Sequence, residues 1–137
     1  MGVTLIVDGA NVMGSRADGW WRDRAGAMAR LHAELAALAA RGIPGPVPGD
    51  GDTGERWFPQ VVLVVEGQAR AVLDLVDAAP AVRLVAARGE GDDEIAGLAG
   101  ELPGRRIVVT ADRELRRRSE AAGAAVVGPR WLTRLLA

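Results

Sequence analysis

The sequence predicts an α/β fold, a three-layer sandwich with a central parallel sheet between two layers of helices. Three observations lead there. Short apolar runs rich in β-branched residues recur at 3–7, 61–65, 82–86, 106–110 and 124–128. Each is followed by a segment of helical character, and strands alternating with helices close into a parallel sheet covered on both faces. The runs are also continuous rather than alternating, as strands buried on both sides require.

Taken in order, VTLIV (3–7) is the first buried strand. Residues 23–40 carry Met28, Leu31, Leu35 and Leu38 at helical spacing, with Gly42 and Pro44 as stop signals. IPGPVPGDGDTGE (43–55) has few groups able to pack. It reads as a flexible surface loop inside one domain spanning 1–137, because too little chain precedes it for a domain boundary. VVLVV (61–65) is the second strand, followed by a helix over about 68–78, and VRLVA (82–86) is the third. DDEIAGLAGEL (92–102) predicts a helix with acids in its first turn, where the helix dipole favours them. RIVVT (106–110) is the fourth strand, ADRELRRRSEAAG a helix closed by Gly123, and AAVVG a fifth strand before a terminal helical turn. A strand order of 3-2-1-4-5 is expected.

Composition removes several function classes. The chain of 137 residues is long enough to bury a substantial core. Cysteine is absent, so disulfides, thiolate metal sites and cysteine nucleophiles are excluded. All 17 basic side chains are arginine, which removes a Walker-type lysine and Schiff-base chemistry. A net charge of −1 argues against a general basic coat for nucleic acid, leaving local patches. No apolar run approaches the length of a membrane span and no leader pattern is visible, so a cytoplasmic protein is expected.

The chemistry lies in the carboxylates. In open α/β sheets, ligands bind beyond the carboxyl ends of the strands, where strand order reverses. Asp8 ends the first strand, Glu66 follows the second, Asp92 and Asp93 open the helix after the third, and Asp112 lies two residues past the fourth. Singly, Asp8 reads as a turn residue, and Asp92 and Asp112 as helix caps. Together they would repel one another and raise each other's pKa values, a conflict that a divalent cation removes. All-oxygen donors with one histidine in the chain select Mg²⁺ or Mn²⁺ over Zn²⁺. Such a site suits phosphodiester hydrolysis. Asn11 would orient the attacking water or a phosphate oxygen, or else bond its own loop. Thr110 would touch substrate or a ligand carboxylate, or satisfy a strand end.

These residues resemble the motifs of PIN-like nucleases of the NYN type. VDGANVMG resembles the opening strand of the NYN domain, GEGDDEIAGLA the acidic-pair helix start, and VVTADRELRRR the fourth-strand motif of hydroxyl residue, spacer and Asp. The resemblance runs through nearly the whole chain in order. It implies a metal-dependent endoribonuclease with Asp8, Asp92, Asp93 and Asp112 at metal positions, Asn11 as the accompanying polar residue, and Mg²⁺ or Mn²⁺ as cofactor. Which of Asp92 and Asp93 does more of the binding stays open, as does a role for Glu66.

DGWWRDR (18–24) lies just beyond Asp8 and also resembles a segment of bacterial NYN-like proteins. Trp20 and Trp21 are adjacent and cannot both face one core. They form either a base-stacking platform with Arg22 and Arg24 on phosphates, or a packed loop over the sheet edge. Arg113, Arg116 and Arg117 share a helix face beside Asp112, either guiding an RNA backbone or standing as a solvated surface. His32, Trp57 and Trp131 are expected to be structural. The expected partner is RNA, structured or on the ribosome, and a homodimer stays open. Two competing functions remain: a metal-dependent nucleotide phosphohydrolase, against which the absence of a second carboxylate at Ala10 argues, and a non-catalytic RNA- or ribosome-binding module.

Overall fold

The structure, a computed structural model, describes residues 2–49 and 55–136. Its elements are β1 (Val3–Asp8), α1 (Gly9–Gly14), α2 (Arg24–Arg41), β2 (Gln60–Val65), β3 (Val82–Ala86), α3 (Gly91–Glu101), β4 (Arg105–Val109), α4 (Arg113–Ala121), β5 (Ala125–Val127) and α5 (Pro129–Leu136). The strands pair in parallel in the order β3-β2-β1-β4-β5, the expected one.

Side chains alternate across a strand, so each strand divides its residues between two cores. Leu5, Val7, Leu63, Val65, Ile107 and Val109 pack with Met28, Leu31, Leu35 and Leu38 of α2 and Leu132 of α5. Ile6, Val62, Val64 and Val108 pack on the other face with Ile95 and Ala99 of α3 and Leu115 of α4. The strand residues of both sets are almost fully buried, which is why the runs read as continuous rather than alternating.

Three segments differ from expectation. GANVMG, which follows β1 directly, forms the short helix α1 rather than a turn. The segment expected as a helix over 68–78 is instead a 3-10 run over Gly67–Asp74. The flank of the 43–55 loop is anchored: Ile43 is buried and exchanges backbone hydrogen bonds with Trp57 at 2.8 and 3.0 Å. Val47 also packs on the core, and residues 50–54 of that loop lie outside the described residues. Trp57 and Trp131 pack against the core, as expected. His32 is buried too, its Nε2 has no hydrogen-bond partner among the described residues, and burial lowers its pKa.

Candidate functional site at the carboxyl edge of the sheet

Alternation places the key side chains before any distance is measured. Asp8 lies two residues beyond Ile6, Thr110 two beyond Val108, and Glu66 two beyond Val64. Glu66 keeps extended backbone, at φ −141° and ψ 166°. All three therefore project to the α3/α4 side at the carboxyl ends of adjacent strands. The register pairs Val7 with Val109, so Asp8 and Thr110 stand level on neighbouring strands.

Asp8 is 6% exposed. Its Oδ2 accepts the hydroxyl of fully buried Thr110 at 2.8 Å, and its Oδ1 accepts the Asn11 backbone N–H at 3.3 Å, capping α1. The Thr110 hydroxyl in turn accepts the Asp112 N–H at 3.1 Å. Thr110 therefore holds a carboxylate, one of its anticipated roles, and its burial keeps it from a substrate. The tight exit from β1 rests on Gly9. A Cβ there would come within 2.5 Å of the Val64 carbonyl oxygen.

Asn11 joins α1 to the loop after β4. Its Oδ1 accepts the Ala111 N–H at 2.9 Å, leaving the amide Nδ2 without a partner among the described residues. Asp112 is an exposed N-cap of α4, accepting the Leu115 N–H at 2.9 Å.

Asp8, Glu66, Asp92 and Asp112 form one electrostatic neighbourhood. Burial raises the Asp8 pKa above its ordinary value, the bonds from Thr110 and Asn11 oppose this, and repulsion from Asp92 and Glu66 adds to it. Asp92 is raised as well, first by burial and then by Asp112, Glu66 and Glu90, with a small opposing pull from Arg118. Glu66, left open by the sequence, thus stands among these acids. Its Oε2 accepts the Gly91 N–H at 2.8 Å, tying the end of β2 to the start of α3.

Asp93, expected beside Asp92 at a metal position, turns outward. Consecutive helical residues point about 100° apart, so the pair does not share a direction. The Asp93 side chain is 86% exposed and pairs with Arg118 at 3.0 Å. No three acids or histidines among the described residues stand close enough to enclose a metal ion by themselves.

The Trp pair divides as adjacency requires. Trp20 is half-buried against the core and Trp21 is 52% exposed, their rings meeting edge to face at 5.9 Å. The guanidinium of Arg24 lies 5.3 Å from the Trp20 ring centroid, and that of Arg22 lies 5.7 Å from Trp21. Cation–π contact therefore already occupies both rings. Of the α4 arginines, Arg117 pairs with Glu114, Arg116 donates to the Thr110 carbonyl, and exposed Arg113 makes no polar contact among the described residues. A hollow of about 420 Å³ lies between α1, Trp20 and Glu66. On the other side of α1, a groove of about 580 Å³ runs between Asn11, Ala111 and α5.

No family model matches the chain, and no curated protein matches it. Among solved structures it is similar to Rae1 (YacP) from Bacillus subtilis and to a mutant of that protein, with a TM-score of 0.71 in both cases. The identities are 18% and 19%, over 99% of this chain and 74% and 75% of those chains. At such identity the likeness is one of fold, and it covers the whole sheet with its helices.

Proposed function

We propose that the carboxyl edge of the sheet is the active site of a divalent-cation-dependent endoribonuclease. One observation carries this reading: buried Asp8 lies among Glu66 and Asp92, and Asp92 beside Asp112, so that burial and mutual repulsion raise the pKa values of Asp8 and Asp92. Folding alone gives such a group no benefit, whereas a cation would. The motif resemblance to PIN-like, NYN-type nucleases and the fold likeness to Rae1 (YacP) support the same reading.

The donor set is all oxygen, which suits Mg²⁺ or Mn²⁺. Mg²⁺ keeps several waters and takes only one or two carboxylates, so the lack of a three-residue cage is compatible with it. Asp8 and Asp92 would hold the cation, with Glu66 and Asp112 flanking them. When bound, it would activate water and neutralise charge on the leaving oxygen.

The chain's own residues do the rest. Thr110 holds Asp8 in one orientation and links it to the cap of α4. Asn11 pins the loop after β4 and keeps its amide hydrogens for substrate. Arg113, uncommitted beside Asp112, offers a phosphate contact.

The test is incubation of the protein with end-labelled structured RNA in Mn²⁺ and in EDTA. Cleavage in Mn²⁺ alone, lost in Asp8→Asn, is expected. Nucleotide hydrolysis without RNA cleavage would indicate a phosphohydrolase instead. Metal-independent RNA binding without cleavage would indicate a binding module.

A further inference from the structure

We infer that the groove between α1 and α5 seats the ribose-phosphate backbone of the substrate, with Arg130 as its phosphate contact and Ser15 as its ribose contact. This rests on the ribonuclease reading and extends it to residues beyond the carboxylate rim.

An acidic rim repels a polyanion, so a nuclease of this kind needs cationic surface next to the rim. Most arginines around it are already engaged: Arg24 with Gln68 and Trp20, Arg22 with Trp21, Arg116 with the Thr110 carbonyl, Arg117 with Glu114 and Arg118 with Asp93. Arg130 differs. Its guanidinium has no partner among the described residues, and it is the one ionisable side chain lining the 580 Å³ groove. The groove begins at Ala10 and Asn11, two and three residues past Asp8, and Ala111 forms part of its wall. No carboxylate lines the groove; it meets the rim at its corner, where Asn11 accepts the Ala111 N–H next to Asp112.

The polar groups of the groove are sorted by chemistry. Arg130 and the free Nδ2 of Asn11 are donors, suited to phosphate oxygens. Ser15 already donates its hydroxyl proton to the Val12 carbonyl at 2.7 Å, and Thr133 donates to the Arg130 carbonyl at 3.3 Å. Towards a ligand both hydroxyls are left as acceptors. A 2′-hydroxyl supplies the matching donor, which deoxyribose lacks. The groove thus combines backbone binding with a preference for RNA over DNA.

The experiment measures fluorescence anisotropy of a labelled single-stranded RNA and the DNA of the same sequence, across a salt series in EDTA. Cleavage of the RNA in Mn²⁺ is followed in parallel. Arg130→Gln is expected to weaken RNA binding about tenfold and to flatten the salt dependence by about one phosphate contact. The same variant should raise KM in the Mn²⁺ assay and leave kcat unchanged. Ser15→Ala should narrow the RNA-over-DNA ratio. Arg134→Gln removes the same charge from the same helix outside the groove, and it should change neither.

If Arg130→Gln leaves Kd and KM at wild-type values, or if Arg134→Gln weakens RNA equally, the groove assignment is overturned while metal-dependent cleavage by the wild type stands. A wild-type protein that neither binds nor cleaves RNA overturns both readings.

Discussion

Two ends of one sheet face carry opposite charge and treat it in opposite ways. At the amino edge, Arg106 projects to the α3/α4 side of β4. It donates to the Ala99, Gly104 and Ala122 carbonyls at 2.9, 2.7 and 2.8 Å. It therefore serves the C-terminal ends of α3 and α4, where orphan carbonyls and helix dipoles favour a cation. At the carboxyl edge the same helices begin. Their N-termini favour anions, and Asp92 and Asp112 take those places, but Asp8 and Glu66 add two further acids from the strands. The guanidinium that acts on the acids, Arg118, pairs with Asp93 and acts only weakly on Asp92, while Arg116 is held by the Thr110 carbonyl. One end is electrostatically complete and the other is left in deficit, and the proposed cation would make up that deficit.

The sharpest test of that contrast exchanges stability for activity at each end. Asp8→Asn removes charge from the end in deficit. Cleavage should fall by more than about 100-fold, while the thermal midpoint in EDTA rises. Thr110 can still donate to the new amide oxygen, and the relief of buried charge is expected to outweigh loss of the long 3.3 Å bond from the Asn11 N–H. Arg106→Met at the complete end should do the reverse. It leaves three carbonyls unpaired and should lower unfolding free energy by about 3 kcal/mol in a urea titration. Its rate per folded molecule should be unchanged. If Arg106→Met abolished cleavage at full stability, the division between the two ends would be wrong.

A smaller effect is expected within the site. Thr110→Val keeps the shape but removes the buried donor to Asp8 and the acceptor for the Asp112 N–H. About 2 kcal/mol of stability should be lost, with Thr110→Ser restoring most of it. The pH dependence carries a fixed sign. The folded chain holds the Asp8 and Asp92 protons more tightly than the unfolded chain does. Stability in EDTA should therefore fall as pH rises from the ordinary value of 3.8 through the raised pKa values. The gain in stability of Asp8→Asn over wild type should widen across the same window, as urea midpoints at several pH values would show. A gain that stayed constant with pH would mean that Asp8 ionises normally.

Much of this was legible in the residues, for reasons that also explain the gaps. Continuous apolar runs and their helical partners gave the sheet and its order, because the rule of parallel strands buried on both faces leaves few alternatives. The rule that ligands sit beyond strand carboxyl ends put Asp8, Glu66, Asp92, Asp93 and Asp112 at one rim, with the role of Glu66 left open. Strand alternation extended by two residues from Val64 gives the side of the sheet to which Glu66 projects, a signal present in the sequence. The end of β5 points by the same rule to Gly128, Pro129 and Arg130, where the groove lies. Helix α1 was hidden, since six residues with glycine at both ends have little helical propensity. It forms because Asp8 caps it and because Gly9 clears the Val64 carbonyl, which is tertiary information. The 3-10 run at Gly67–Asp74 has helical spacing over too few turns to separate it from an α-helix.

The acidic pair that opens α3 supplies the smallest expected effect. Asp92 and Asp93 are chemically identical neighbours, so any difference between them comes from direction alone. Asp92 faces Asp112 and Glu66, whereas Asp93 faces Arg118 in an exposed pair. Asp93→Asn breaks only that pair and should change stability by less than about 1 kcal/mol. It should leave the Mn²⁺ concentration for half-maximal cleavage near the wild-type value. Asp92→Asn should raise that concentration about tenfold or more, since it removes an inward carboxylate. Titrating Mn²⁺ against cleavage rate for the two variants decides the matter. Equal shifts would mean that both carboxylates reach the cation, which would require the Asp93–Arg118 pair to open and α3 to turn its first residues inward when metal binds.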